Sequence, residues 1–155
     1  MRSDHKALEA VLNEYHKDED TIVFSVAGIS LVLHPFNPKI PTTHANYRMF
    51  EIMVGDKHVS WFGGGSDLTP AYVDEGDAKH FHTILKHSCD LNDKNYQQSG
   101  QSALYTRFKH WCDEYFYLPH RGETRGIGGI FFDDLDESNM NMSKDNIFKF
   151  VKGCG

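Results

Sequence analysis

The chain has 155 residues, 39% hydrophobic and 25% charged, the composition of one ordinary globular domain with a core to bury. A formal net charge of -6 excludes a general nucleic-acid binder, although a few arginines in a cleft still suffice to hold an anionic ligand. Three widely spaced cysteines without CxxC spacing exclude a thiolate zinc site and fit a reducing compartment; no apolar run reaches membrane-spanning length. The expectation is a single cytoplasmic domain over residues 1–155, with no membrane span and no apolar signal region.

Residues Ser3 to Lys17 are predicted to form an amphipathic helix, because Ala7, Leu8, Val11, Leu12 and Tyr15 fall on one stripe. Asp18-Glu19-Asp20 ends it in solvent. From Thr21 to Leu33 the pattern turns β-branched and aromatic, as in one strand or two, with Gly28 marking a bulge or turn between them. Ser30, Val32 and His34 share one face of it. Three prolines between His34 and Pro41 predict a stiff connector.

Thr42 to Val54 reads as the next strand, with His44, Asn46, Arg48, Phe50 and Ile52 on one side and Thr43, Ala45, Tyr47, Met49 and Glu51 on the other. Gly55-Asp56 turns it into a hairpin with His58 to Phe62. Two helices follow. Asp74 caps the first, whose inward stripe is Ala78, Phe81, His82, Leu85 and Cys89; the second buries Leu104, Phe108, Trp111, Cys112 and Tyr115. Asn92 to Gln101 is a polar loop between them. Gly126 to Asp134 is a glycine-rich strand ending in acids, and Ser143 starts a last helix carrying Ile147, Phe150 and Val151. The pattern predicts an α+β domain: an antiparallel sheet flanked by helices.

Chemistry concentrates at two places. His44, Asn46 and Arg48 stand side by side if the strand parity holds, supplying an imidazole, an amide and a guanidinium. The plainer account is a wet strand face, which Phe50 and Ile52 on the same side weaken. The run Trp61-Phe62-Gly63-Gly64-Gly65-Ser66-Asp67 lacks the spacing and lysine of a phosphate loop. It is either a flexible turn before a helix, with Asp67 as its cap, or a bare wall for a flat ring whose N–H groups Asp67 accepts.

Elsewhere the plain readings lead. His82, on an apolar helix face, suits a satisfied core histidine. His34 and His120 each adjoin a proline, and four imidazoles from separate segments meet at a divalent metal only if the fold converges them. Arg121 and Arg125 hold carboxylates or make surface ion pairs. Asp133, Asp134 and Asp136 read as an acidic strand end exposed to water.

In order, Gly28-Ile29-Ser30-Leu31-Val32-Leu33-His34-Pro35, Pro41 to Arg48, Trp61 to Pro70, His80-Phe81-His82, Lys109 to Phe116 and His120 to Leu135 form a pattern that resembles oxygen-dependent coproporphyrinogen III oxidase. The resemblance implies oxidative decarboxylation of two propionates of coproporphyrinogen III to vinyl groups, giving protoporphyrinogen IX. Molecular oxygen is the implied co-substrate, with no organic cofactor. It implies His44 as proton donor, Asp67 as the group that engages pyrrole N–H, and Ser30, Asn46 and Arg48 as substrate-binding residues. Some descriptions of the family also give the positions of His34, His44, His82 and His120 to a divalent metal. A homodimer is implied too. Members carry more helix before the position of Thr21, and further strands, a Gly-x-Arg substrate contact and most of the dimer interface after that of Gly155. The chain is therefore expected to be a central piece of the enzyme. The alternatives are a shortened, non-catalytic tetrapyrrole-binding module and a histidine-rich metal-binding protein.

Overall fold

In the computed structural model, which describes residues 6–13, 21–93, 96, 100 and 103–155, the apolar and β-branched run after position 21 becomes a long antiparallel sheet. Strands β1 (Ile22–Leu33), β2 (Thr42–Val54) and β3 (Lys57–Thr69) follow one another, and β6 (Gly129–Leu135) completes the order β1-β2-β3-β6. All neighbours are antiparallel. Gly55, at φ 57°, opens the two-residue turn between β2 and β3. A short hairpin, β4 (Tyr117–Leu118) and β5 (Glu123–Thr124), precedes β6. The helices are α1 (Lys6–Asn13), α2 (Glu75–Asn92), α3 (Ala103–Tyr115), α4 (Glu137–Met140) and α5 (Lys144–Cys154). The fold is α+β, as the sequence pattern predicts.

Side-chain alternation divides the sheet into a core face and a polar front face. On the core face Phe62, Ile130, Phe132 and Leu135 meet Leu85 and Cys89 of α2, Phe108 of α3, and Ile147, Phe150 and Val151 of α5. The Phe132 ring lies 5.2 Å from Phe108 and 5.3 Å from Phe150. Tyr47 also points this way. Its hydroxyl donates to the Cys154 carbonyl and pairs with the Ser66 hydroxyl, and burial pushes its phenol above the ordinary range. The three cysteines are free, and burial pushes the Cys112 thiol up to about 12.

The two sheet edges are treated differently. Phe131 and Phe132 project to opposite faces of β6, yet both touch α3: Phe131 through Trp111 and Tyr115, Phe132 through Phe108. The helix therefore wraps the β6 edge. Every residue of β1 is exposed, and among the described residues no strand pairs with its outer edge. Among the described residues no helix is long and apolar enough to cross a membrane.

Several expectations need correction. β1 is one unbroken strand in which Gly28 pairs in register with Arg48. A Cβ at Gly28 would sit 3.0 Å from the Tyr47 carbonyl oxygen, so the glycine answers a close approach of β2 rather than a bulge. In α1, Val11 is buried but Leu12 is exposed. The rest of Ser3 to Lys17, the Asp18-Glu19-Asp20 stop and most of the Asn92 to Gln101 loop lie outside the described residues. The last strand starts only at Gly129, because Gly126 and Gly128 take φ of 57° and 73° in the loop before it. Asp74 does cap α2, accepting from the Asp77 amide at 3.0 Å. Asp136 is not an exposed acid: it is buried and closes a capping box with Asn139 on α4.

Candidate active site

The register of the sheet decides which side chains become neighbours. Across the strands, Ser30 lies opposite Asn46 and Asn46 opposite Gly65; His44 lies opposite Asp67, and Asp67 opposite Gly129. Ser30, His44, Asn46, Arg48 and Asp67 therefore share the front face, as the period of two requires. Phe131 stands beside them on β6 and stacks on Tyr115, with ring centroids 4.0 Å apart. A concave space of about 230 Å³ results, lined by His44, Asn46, Arg48, Gly64, Gly65, Asp67, Tyr115, Phe116 and Phe131. Beyond Arg48 the same face continues as an aromatic strip, Phe50 stacked on Trp61 at 5.5 Å and Phe24 tilted against Phe50.

The glycine run is neither a turn nor a helix entry. It is the middle of β3, buried between β2 and β6, and Asp67 is a strand residue rather than a cap. Asp67 is 3% exposed. Its Oδ2 accepts two hydrogen bonds, from His44 Nδ1 at 2.8 Å and from an Arg125 terminal nitrogen at 2.7 Å. A carboxylate so placed carries a negative charge that two donors from different segments compensate, which a buried charge requires. With Nδ1 as donor, the neutral His44 ring keeps Nε2 as its acceptor.

Arg48 owes its position to a missing side chain and to a bulge. Its guanidinium donates to Asn46 Oδ1 at 2.7 Å and pairs with Asp133 Oδ2 at 2.9 Å. To reach β6 it lies across β3 over Gly63, where a Cβ would strike Asp133 Oδ1 and come within 2.8 Å of Arg48 Nε. The β3–β6 register slips between Phe62 and Gly64, opposite Asp133 and Asp134, and Asp134 takes φ 56°. This extra residue on β6 aims Asp133 at the arginine. The acidic strand end is thus half-buried and paired at Asp133, not simply wet. Gly63→Ala is expected to displace the Arg48–Asp133 pair and weaken binding of a carboxylated ligand about tenfold. Isothermal titration measures this, and an unchanged affinity would remove Gly63 from the account.

The other histidines go elsewhere. His82 Nε2 donates to the Ile127 carbonyl at 3.0 Å and Nδ1 takes the Tyr105 hydroxyl at 3.0 Å, so both ring nitrogens are engaged within the protein. His34, just past β1, and His120, between β4 and β5, are exposed. No group of three His, Cys, Asp or Glu among the described residues is arranged to hold a metal ion, so His34, His44, His82 and His120 do not fit a shared metal set here. Of the two readings open for Arg125 in the sequence, a carboxylate holder or a surface ion pair, the first is the one found: it pairs with the buried Asp67. The pattern does not single out Phe116, whose ring lies 3.7 Å from the Arg125 guanidinium and edge-on to His44. A further signal is the run of glycines after Arg125, Gly126, Gly128 and Gly129, which marks a tightly constrained loop.

The family model described as coproporphyrinogen III oxidase matches residues 3–155. A rat protein named oxygen-dependent coproporphyrinogen-III oxidase, mitochondrial, is 50% identical over 155 residues, covering 99% of this chain and 31% of its own length. A Drosophila melanogaster protein of the oxygen-dependent name is 49% identical over 140 residues, 89% of this chain and 33% of the relative. One from Francisella tularensis subsp. novicida is 50% identical over 132 residues, 84% of this chain and 39% of the relative. The chain spans about a third of the length of the curated relatives it matches.

Proposed function

The chain belongs to the coproporphyrinogen III oxidase family, and on that premise we propose that it forms the substrate-facing part of an oxygen-dependent coproporphyrinogen III oxidase. For each of two propionates the reaction balances as RCH2CH2COOH + O2 → RCH=CH2 + CO2 + H2O2. Oxygen takes the two electrons and the carboxyl carbon leaves as carbon dioxide.

The observation that carries this reading is Asp67: a buried carboxylate with both of its hydrogen bonds on Oδ2, set between a guanidinium-bearing row and an aromatic wall. Its Oδ1 accepts pyrrole N–H, drawing off a proton and enriching the ring in electrons as it meets oxygen. Arg48, held by Asn46 and Asp133, binds a propionate. Asn46 and Ser30 line the same row, and His44 handles a proton through Nε2. The space of about 230 Å³ is below the roughly 300–1,000 Å³ of pockets that enclose a drug-sized ligand, so it takes one pyrrole corner while the rest of the macrocycle spreads over the front face. The homodimer and the cytoplasmic compartment expected from the sequence belong to the same proposal. The rat and soybean relatives are named as mitochondrial and chloroplastic.

The test is to supply anaerobically prepared coproporphyrinogen III to the chain, admit oxygen and follow protoporphyrin fluorescence after oxidation. Product is expected, and Arg48→Ala is expected to raise KM about ten- to a hundredfold, the worth of a hydrogen-bonded charge. Tight porphyrinogen binding without product would support the non-catalytic tetrapyrrole-binding module instead. Neither binding nor product would sink both.

A further inference from the structure

Arg125 is the charged group at the site that the proposed chemistry leaves without a task, and its surroundings are unusually well constrained. Its amide donates to the Phe116 carbonyl at 3.2 Å, and its own carbonyl accepts from Gly128 at 3.1 Å. Two bonds between Leu68 and this loop, Ile127 N–H to the Leu68 carbonyl and Leu68 N–H to the Gly128 carbonyl, stitch it to the residue after Asp67. His82 pins the Ile127 carbonyl from α2. The guanidinium carbon then lies 3.7 Å from the centre of the Phe116 ring, and its Nε is buried without a hydrogen bond to any described residue. The ring face offers the guanidinium charge electrostatic compensation.

A loop tied at five places, ending in one directed bond, is a device for holding something else still. We propose that Arg125 is a positioning residue: it clamps the Asp67 carboxylate through Oδ2 so that His44 keeps its proton on Nδ1, leaving His44 Nε2 and Asp67 Oδ1 for the substrate. Without the clamp, Asp67 has one tether, from His44, and the carboxyl group turns about its own side-chain bond. With it, two donors converging on the same oxygen define the rotamer of the acid and the tautomer of the imidazole together. Phe116 serves both partners, lying under the guanidinium and against the edge of the His44 ring.

The inference rests on the reading of His44 and Asp67 as the working pair, but its test does not need turnover. Nitrogen-15 NMR of histidine-labelled chain reports which His44 nitrogen carries the proton in the neutral ring and how fast that proton exchanges with water. The expected result is an Nδ1–H tautomer in the unaltered chain. In Arg125→Gln that proton exchanges at least about tenfold faster, one charge-assisted bond having been lost. Arg125→Lys, which keeps the charge and one donor, recovers most of the protection. Backbone amides of β3 serve as the control, and their protection stays unchanged. Unaltered Nδ1–H exchange in a folded Arg125→Gln chain would overturn the assignment. So would an Nε2–H tautomer in the unaltered chain, a measurement that stands even if the glutamine variant does not fold. Turnover of coproporphyrinogen III measured alongside separates failure of this assignment from failure of the proposed function.

Discussion

Asp67→Asn is expected to lower turnover of coproporphyrinogen III by about a hundred- to ten-thousandfold, the range a positioned proton-transfer group supplies. The substitution keeps the shape and removes the charge. An amide cannot take a pyrrole proton, and it leaves the Arg125 guanidinium beside a neutral partner in a part of the sheet where Asp67 is 3% exposed. His44 loses the carboxylate that defines its tautomer, so both halves of the proposed proton path fail together. Steady-state rates with anaerobically prepared substrate check it, alongside circular dichroism to confirm that the sheet persists. Turnover within tenfold of the unaltered chain, in a folded variant, would take Asp67 out of the chemistry.

Phe132→Ala is expected to cost about 3–5 kcal/mol of folding stability, from lost transfer energy and from the cavity left behind. A domain of this size typically has about 5–15 kcal/mol in total, so the variant sits near the edge of unfolding at room temperature. The reason is position: Phe132 is fully buried where rings from α3 and α5 converge on β6, with Phe108 and Phe150 both within 5.3 Å of its centroid. Relaxation cannot fill the gap, because Gly64 opposite it on β3 has no side chain to swing in. Urea unfolding followed by tryptophan fluorescence measures the difference. A loss below about 1 kcal/mol would mean that the core collapses around the gap, contrary to the packing described.

What could be read from the sequence divides by range. The strand parity of His44, Asn46 and Arg48 is a local property, since alternation along β2 needs nothing outside it. The cap at Asp74 and the start of α5 after Ser143 are local in the same sense. The glycine run misleads because glycine is poor at forming strands on its own; only pairing with β2 on one side and β6 on the other makes Gly63 to Gly65 a strand. Asp133 and Arg125 are further out of reach. Each meets its partner across more than fifty residues, and each depends on backbone detail, a bulge in one case and two left-handed glycines in the other. Arg121 and Arg125 look alike in sequence, yet Arg121 ends in an exposed pair with Glu123 while Arg125 reaches the buried acid.

β2 carries the candidate site on one side and part of the core on the other, which makes its register self-checking. A slip by one residue against β3 would exchange Tyr47 for Arg48: a guanidinium would be driven among Phe62, Phe132 and α5, and a phenol that now bonds Ser66 and Cys154 would be turned out to water. The same error that dismantles the site therefore also ruins the core. A misaligned β2 is disfavoured energetically by the core itself, with no ligand needed to enforce the register.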